Sequence, residues 1–365
     1  MGLRDYSIEW WHYLTTNSKY QGLDLLRAIA ITVVVLWHFD ASLFRTGWTG
    51  VNLFFILSGF LIGAILLKAF EAKRFSYREY FASRFLRIYP LYVVAVALYL
   101  FNLWHWGFVA DSETLFVIAG LHFSFLQTLA YDFWGLLLPA YPVTWSLVVE
   151  VAFYITIPVV LFVFFKLRIV WVGLIAVAGA FLWIRSDIAS RLNPDDAAWH
   201  FVYYLRPYFH YDELLYGVAV AYAVHRRYGA FRWLFLLAGL VGLAFISHHI
   251  WNIPKADHFP SMALLTWEAV FFPTLLAAIF AAIVYGVYDK PWSCVPVNVI
   301  ARLAYPLYLT HYLIIQLSFG WTSYLIFSFA ASIVASFAIE YPFIRMYKNR
   351  REQAAVSAGM PLSPA

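Results

Sequence analysis

The sequence predicts an all-α, polytopic membrane helix bundle, with about ten transmembrane helices plus one re-entrant or interfacial segment. Three observations carry this. Hydrophobic residues fill 63% of its 365 positions and charged residues only 12%, against about 45–50% and about 25% in soluble globular chains. Apolar runs of about twenty residues, enough to cross a hydrocarbon core of about 30 Å as a helix, recur from end to end. The basic residues collect in alternate loops, as the positive-inside rule requires. No space is left for a sizeable soluble domain. Residues 1–350 read as one transmembrane domain and 351–365 as a disordered tail. The first residues are polar and aromatic, unlike a cleavable signal peptide. Cys294 is the sole cysteine, which excludes an intrachain disulfide and a cysteine-based metal cluster. No metal and no nucleic-acid partner is expected.

Spans are expected at about 22–40, 50–67, 88–104, 144–165, 169–185, 208–224, 233–251, 263–286, 303–319 and 321–342. The loop after the second holds Lys68, Lys73, Arg74, Arg78, Arg84 and Arg87, which sets it on the cytoplasmic side. The first span then runs outward from a cytoplasmic N-terminus, with His38 near the outer face. A weaker segment at 113–130 decides the parity of the rest. Read as re-entrant or interfacial, it leaves the later basic turns and the C-terminus inside. Only Arg45, Arg185, Arg191, Arg206 and Lys255 then fall outside, and Arg27 lies in the membrane. A bacterial inner membrane, with both termini cytoplasmic, is the expected setting. The outer stretch 105–143 lacks Lys and Arg but carries many aromatics with Asp111, Glu113, His122 and Asp132. Such faces bind sugars by stacking and hydrogen bonding, and they also form ordinary interface belts.

Polar groups inside apolar spans mark the places to look for chemistry, because charge there is expensive and kept mainly where it faces protein or works. Leu23–His38 is the clearest case. Arg27 and His38 are eleven residues apart, so they share one helix face, roughly 16 Å apart along the axis. Asp24, one turn before Arg27, is positioned to pair with it and offset its burial. Glu150 lies about two turns into the span that opens at Thr144. It can share a layer with His38, and a His with a carboxylate partner is the usual general base for a hydroxyl. A Glu150 paired with an arginine for structure alone is the competing reading. Arg84 and Arg87 share a helix face at a cytoplasmic mouth. They suit a phosphate clamp or a positive-inside anchor equally well. Ser58 with Gly59 forms a small-residue helix contact, and Asn52 can orient a partner or a substrate. Asp212 and Glu213 begin another span from the outside. His311, half-way through its span, reads as packing or a network member.

Several segments, taken in order, resemble the membrane-bound acyltransferase-3 family across nearly the whole chain. They are the LDxLRAxA start with Arg27 and His38, GVNLFFxLSGFLI at 51–62 and the RxxR pair with IYPLY at 84–92. TWSLVVE at 144–150, the LLYGVAVA region, AYPLYLTH at 304–311 and IEYPF at 340–344 follow. Departures are Asn52 where the family often has Asp, Leu25 where it often has Gly, and Thr310 where an aromatic is common. The resemblance implies transfer of an acyl group, often acetyl, from cytoplasmic acyl-CoA to a hydroxyl of a cell-surface glycan or glycolipid. It implies His38 as catalytic base with Arg27 and Glu150 beside it. Arg84, Arg87 and Tyr92 would serve the acyl-CoA. Asp24, Asn52, Ser58, Trp145, Ser146, Asp212 and His311 would take substrate or supporting roles. Many relatives carry an extracytoplasmic hydrolase-like domain after the membrane part; a stand-alone form is expected here.

Two functions from different classes fit these residues. One is an O-acyltransferase using His38 on an acceptor hydroxyl. The other is a transporter or flippase of a glycolipid or small anion, since intramembrane Arg, His and Glu also mark transport paths. Transporters more often show internal repeats, and no clear repeat is present.

Overall fold

The computed structural model describes residues 2–109, 111–130, 141–191, 205–252, 266–317 and 320–357. Among these the chain is helical, without strands. Its helices are α1 (Leu3–Thr15), α2 (Gln21–Phe39), α3 (Thr49–Glu71), α4 (Tyr77–His105) and α5 (Ser112–Phe123). A 3₁₀ turn (Pro142–Thr144) then leads into α6 (Trp145–Lys166). After it come α7 (Val170–Arg191), α8 (Pro207–His225), α9 (Arg232–Asn252), α10 (Thr266–Val287), α11 (Val295–Ile315) and α12 (Trp321–Ala335). A π-helical turn (Ser336–Glu340) carries α12 into α13 (Tyr341–Ser357) without a break.

Each expected span is matched by a helix, α2–α4 and α6–α12. Among the described residues, eight helical stretches are long and apolar enough to cross a membrane on length and composition alone. The two matched helices that fall short, α8 and α11, are about 28 and 31 Å long. They miss on hydropathy because they bury polar residues, His210, Asp212 and Glu213 on α8 and Asn298 and His311 on α11. At twelve residues α5 is about 18 Å long, too short for a hydrocarbon core of about 30 Å. That fits the re-entrant or interfacial reading. At the other end, α13 runs to Ser357, so the first part of the stretch read as a tail is helix; residues 358–365 lie outside the described set.

The centre is the pair α3–α8. A Cβ at Gly59 would lie 2.0 Å from the Leu214 carbonyl oxygen, and one at Gly217 2.2 Å from that of Ile56. Only glycine allows the two backbones to come this close. Around this pair, α2 packs on α11 and α3, and α6 on α8 and α3. Tyrosines lock the layers by donating to carbonyls of other helices: Tyr305 to Ile88 at 2.6 Å, Tyr324 to Val35 at 3.1 Å, Tyr308 to Val143 at 2.7 Å.

Three turns that carry a cation share one construction with the turn after α5, where Phe125 is left-handed (φ 57°) and the Leu126 N–H meets the Leu121 carbonyl. After α3, α6 and α8 the chain enters the left-handed region at Lys73, Arg168 and Arg227, with φ of 53°, 61° and 58°. Each turn closes with the next residue's N–H on a carbonyl five residues back: Arg74 on Ala69, Ile169 on Phe164, Tyr228 on Ala223. These are Schellman caps, usually built on glycine. Here a cation stands at each helix C-terminus, where the helix dipole favours it.

Candidate active site

Five helices line a partly open cavity of about 140 Å³. Arg27 enters it from α2 and Ser58 from α3. Arg84 and Arg87, i and i+3 on α4, line a second wall. Ser146, Glu150 and Tyr154 recur every fourth residue along one face of α6. Arg302, Tyr305 and Tyr308 come from α11. Arg27 is held by Asp24 at 2.8 Å. Glu150 accepts from the Tyr154 hydroxyl at 2.9 Å, and that hydroxyl lies 2.9 Å from Ser58 Oγ. Among the described residues, no carboxylate lies within ion-pair distance of Arg84, Arg87 or Arg302. Glu150 and Glu340 act on these arginines from beyond ion-pair distance; three guanidiniums on one cavity, each offering planar donors, make an anion site suited to phosphate.

One layer away on the same helices stand two histidines. His38 Nδ1 lies 3.0 Å from the Val34 carbonyl and His311 Nδ1 lies 3.0 Å from that of Leu307. A carbonyl can only accept, so each Nδ1 carries the proton and each neutral ring keeps its lone pair on Nε2. The two rings meet edge to face, centroids 4.8 Å apart, with Trp37 and Tyr312 packed on His38. His311 is fully buried and its Nε2 has no hydrogen-bond partner among the described residues. Tyr308 links the layers. Its ring centre is 6.0 Å from that of His311, and its hydroxyl meets Ser146 at 2.8 Å on the cavity wall.

The His38–Glu150 pair anticipated from the sequence does not form. Glu150 belongs to the arginine cavity, and the groups touching His38 are His311, Trp37, Tyr312 and the Val34 carbonyl. Tyr92 does not line the cavity either. It donates to the His122 carbonyl at 2.9 Å and stacks on Phe125, bracing α4 against α5. Asn52 holds the Glu213 carboxylate at 2.8 Å, and Glu213 pairs with His210 at 2.6 Å in a buried cluster under Trp145 and Phe55. Asp212 is locked to Arg185 at 2.7 Å with Thr274, a wholly buried ion pair. In the outer stretch, His122 is structural, taking the Tyr141 N–H at 3.0 Å. Asp111 caps α5, and the Thr114 N–H and hydroxyl hold its carboxyl below the usual range. Asp132 lies outside the described residues.

Arg302 is the functional candidate that sequence reading overlooked. The apolar pattern predicts a span from residue 303, whereas α11 starts at Val295 and carries Arg302 two turns along it. An arginine one turn before a Tyr–Pro–Leu–Tyr run was the available signal.

A family profile described as an acyltransferase domain matches residues 20–345. The chain is 28% identical over 328 residues to the peptidoglycan O-acetyltransferase OatA of Listeria monocytogenes, covering 81% of this chain and 49% of that protein. It is 32% identical over 165 residues to a putative peptidoglycan O-acetyltransferase, YrhL, of Bacillus subtilis, covering 42% and 25%. A putative O-acetyltransferase of Staphylococcus aureus is 28% identical over 163 residues, covering 38% and 24%. The chain thus spans half or less of the length of these relatives. No solved structure matches. The profile runs from α2 into α13 and takes in both the arginine cavity and the histidine pair: the chain belongs to the acyltransferase-3 family.

Proposed function

We propose that the protein is an acyl-CoA-dependent O-acetyltransferase that modifies a hydroxyl of an extracytoplasmic carbohydrate. The observation that carries this is the combination of three guanidiniums on one cavity, none in an ion pair among the described residues, with a histidine, one layer on, whose Nε2 is fixed as the basic nitrogen. Arg84, Arg87 and Arg302 bind the donor's phosphates. The thioester arm lies past Glu150, Ser146 and Tyr308 towards His38. His38 Nε2 takes the acceptor hydroxyl proton as the oxygen attacks the thioester carbonyl. The tetrahedral intermediate then expels the thiolate, which recovers a proton from the imidazolium. Arg27, tied to Asp24, adds positive charge to the donor wall.

This reading sets the arginine cavity towards the cytoplasm and His38 towards the outside of a bacterial cell membrane, with both termini inside. The three cationic turns after α3, α6 and α8 support that orientation. The relatives' names make peptidoglycan the first acceptor to try.

Purified protein given labelled acetyl-CoA and glycan fragments tests the proposal. His38→Ala should lower kcat by about 10²–10⁴-fold. Arg84→Ala should instead raise the donor KM by about tenfold or more, the loss of a charge-assisted hydrogen bond. Wild-type turnover in His38→Ala would refute the mechanism. Neither CoA binding nor thioester turnover in the intact protein would return the balance to transport.

A further inference from the structure

The amphipathic helix α1 precedes the region that the family profile matches, which starts at residue 20, yet it packs on Arg302 of the arginine cavity. Tyr6, Trp10 and Tyr13, spaced four and three apart, form its inner face. Tyr6 donates to the Phe337 carbonyl at 2.6 Å, and Trp10 Nε1 donates to Ser336 Oγ at 3.3 Å, so α1 docks on the π-helical turn. Glu9 pairs with Arg345 at 2.8 Å. At the far end of α1, the Asn298 amide donates to the Thr15 carbonyl at 2.9 Å and to Asn17 at 2.8 Å, fastening it to the start of α11. The exposed side is mixed: Leu3, Ile8 and Trp11 are all more than half exposed, and the charged Arg4, Asp5 and Glu9 are exposed with them.

Tyr13 ends up between two partners. Its ring centre is 5.1 Å from that of Tyr341, and the Arg302 guanidinium carbon lies 5.2 Å from it, within cation–π range. Arg302 is one of the three cavity arginines without a carboxylate partner among the described residues. A flexible guanidinium must be ordered before it binds phosphate well; the aromatic face orders Arg302, and the Glu340 carboxylate acts on it only from beyond ion-pair distance. The π-turn under α1 points the same way, since such turns recur at functional sites.

We propose that Tyr13 is a positioning residue of the donor site, holding Arg302 in the orientation that grips a phosphate-bearing thioester, so that the docking of α1 sets donor affinity. This rests on the reading of the arginine cavity as the donor site.

The test measures acetyl-CoA binding and steady-state kinetics on the full-length protein. Tyr13→Leu keeps apolar bulk and removes the aromatic face; Tyr13→Phe keeps the face. Tyr13→Leu should raise the donor Kd and KM by about 3–30-fold with kcat retained, the range of a cation–π contact. Tyr13→Phe should stay within about twofold of wild type. In a cycle with Arg302→Ala, Tyr13→Leu should add nothing further, because its effect runs through that arginine. Unchanged Kd and KM in Tyr13→Leu, with Arg84→Ala still impaired, overturns the proposal and leaves the donor site standing. So does full additivity with Arg302→Ala. If Arg84→Ala and Arg302→Ala also bind acetyl-CoA as wild type does, the donor reading itself falls.

Discussion

The two imidazoles show how far single residues can be read. His38 was legible from the sequence because it shares a helix face with Arg27, and its backbone bond to Val34 now adds which nitrogen is basic. Its partner was not legible. Spacing along α2 says nothing of which helix lies opposite, and α11, rather than α6, packs there. In the proposed mechanism, once His38 takes a proton, the His311 Nε2 beside it, without a hydrogen-bond partner among the described residues, is a base that can accept from it. His311→Phe keeps ring and bulk and removes that base. It should lower kcat by about 10–100-fold, the worth of a hydrogen bond to a charged group, with the donor KM unchanged. Stopped-flow or steady-state release of CoA thiol reads this directly, and a wild-type kcat would assign His311 to packing alone.

Elements were legible wherever hydrophobicity was continuous. All ten expected spans are helices, and the short α5 fits the one weak segment. The largest errors fall at the N-terminal ends of α4 and α11, which begin at Tyr77 and Val295 rather than near 88 and 303. The cause is physical: Arg84, Arg87 and Arg302 face the cavity, and their charges interrupt the apolar pattern by which a span is recognised. Function there erases the signal of structure. The contact between α3 and α8 is stricter. At Gly217 an added side chain meets backbone, which cannot swing aside. Gly217→Val should lower stability by at least about 1–3 kcal/mol through forced separation of the helices, seen as a reduced thermal midpoint in detergent. An unchanged midpoint would mean the pair tolerates a wider spacing.

At the scale of the molecule, orientation is open to a simple measurement. Cys294 is the sole cysteine, and it is exposed at the N-cap of α11, on the side where Arg302 enters the cavity. A membrane-impermeant thiol reagent should leave it unlabelled in intact cells and label it once they are permeabilised. Labelling of intact cells would invert the proposed arrangement. The three turns after α3, α6 and α8 bear on how that arrangement arises. Glycine would hold a left-handed backbone more cheaply than Lys73, Arg168 or Arg227, by about 1 kcal/mol each. Local geometry alone therefore does not explain the residues found there. A cation at the tip of a tight hairpin is the group least able to follow the chain through a lipid barrier during synthesis. Under the proposed orientation each turn would act as a ratchet tooth in biogenesis: once a helix pair has inserted, its tip would be retained, and the next pair would start from a fixed side.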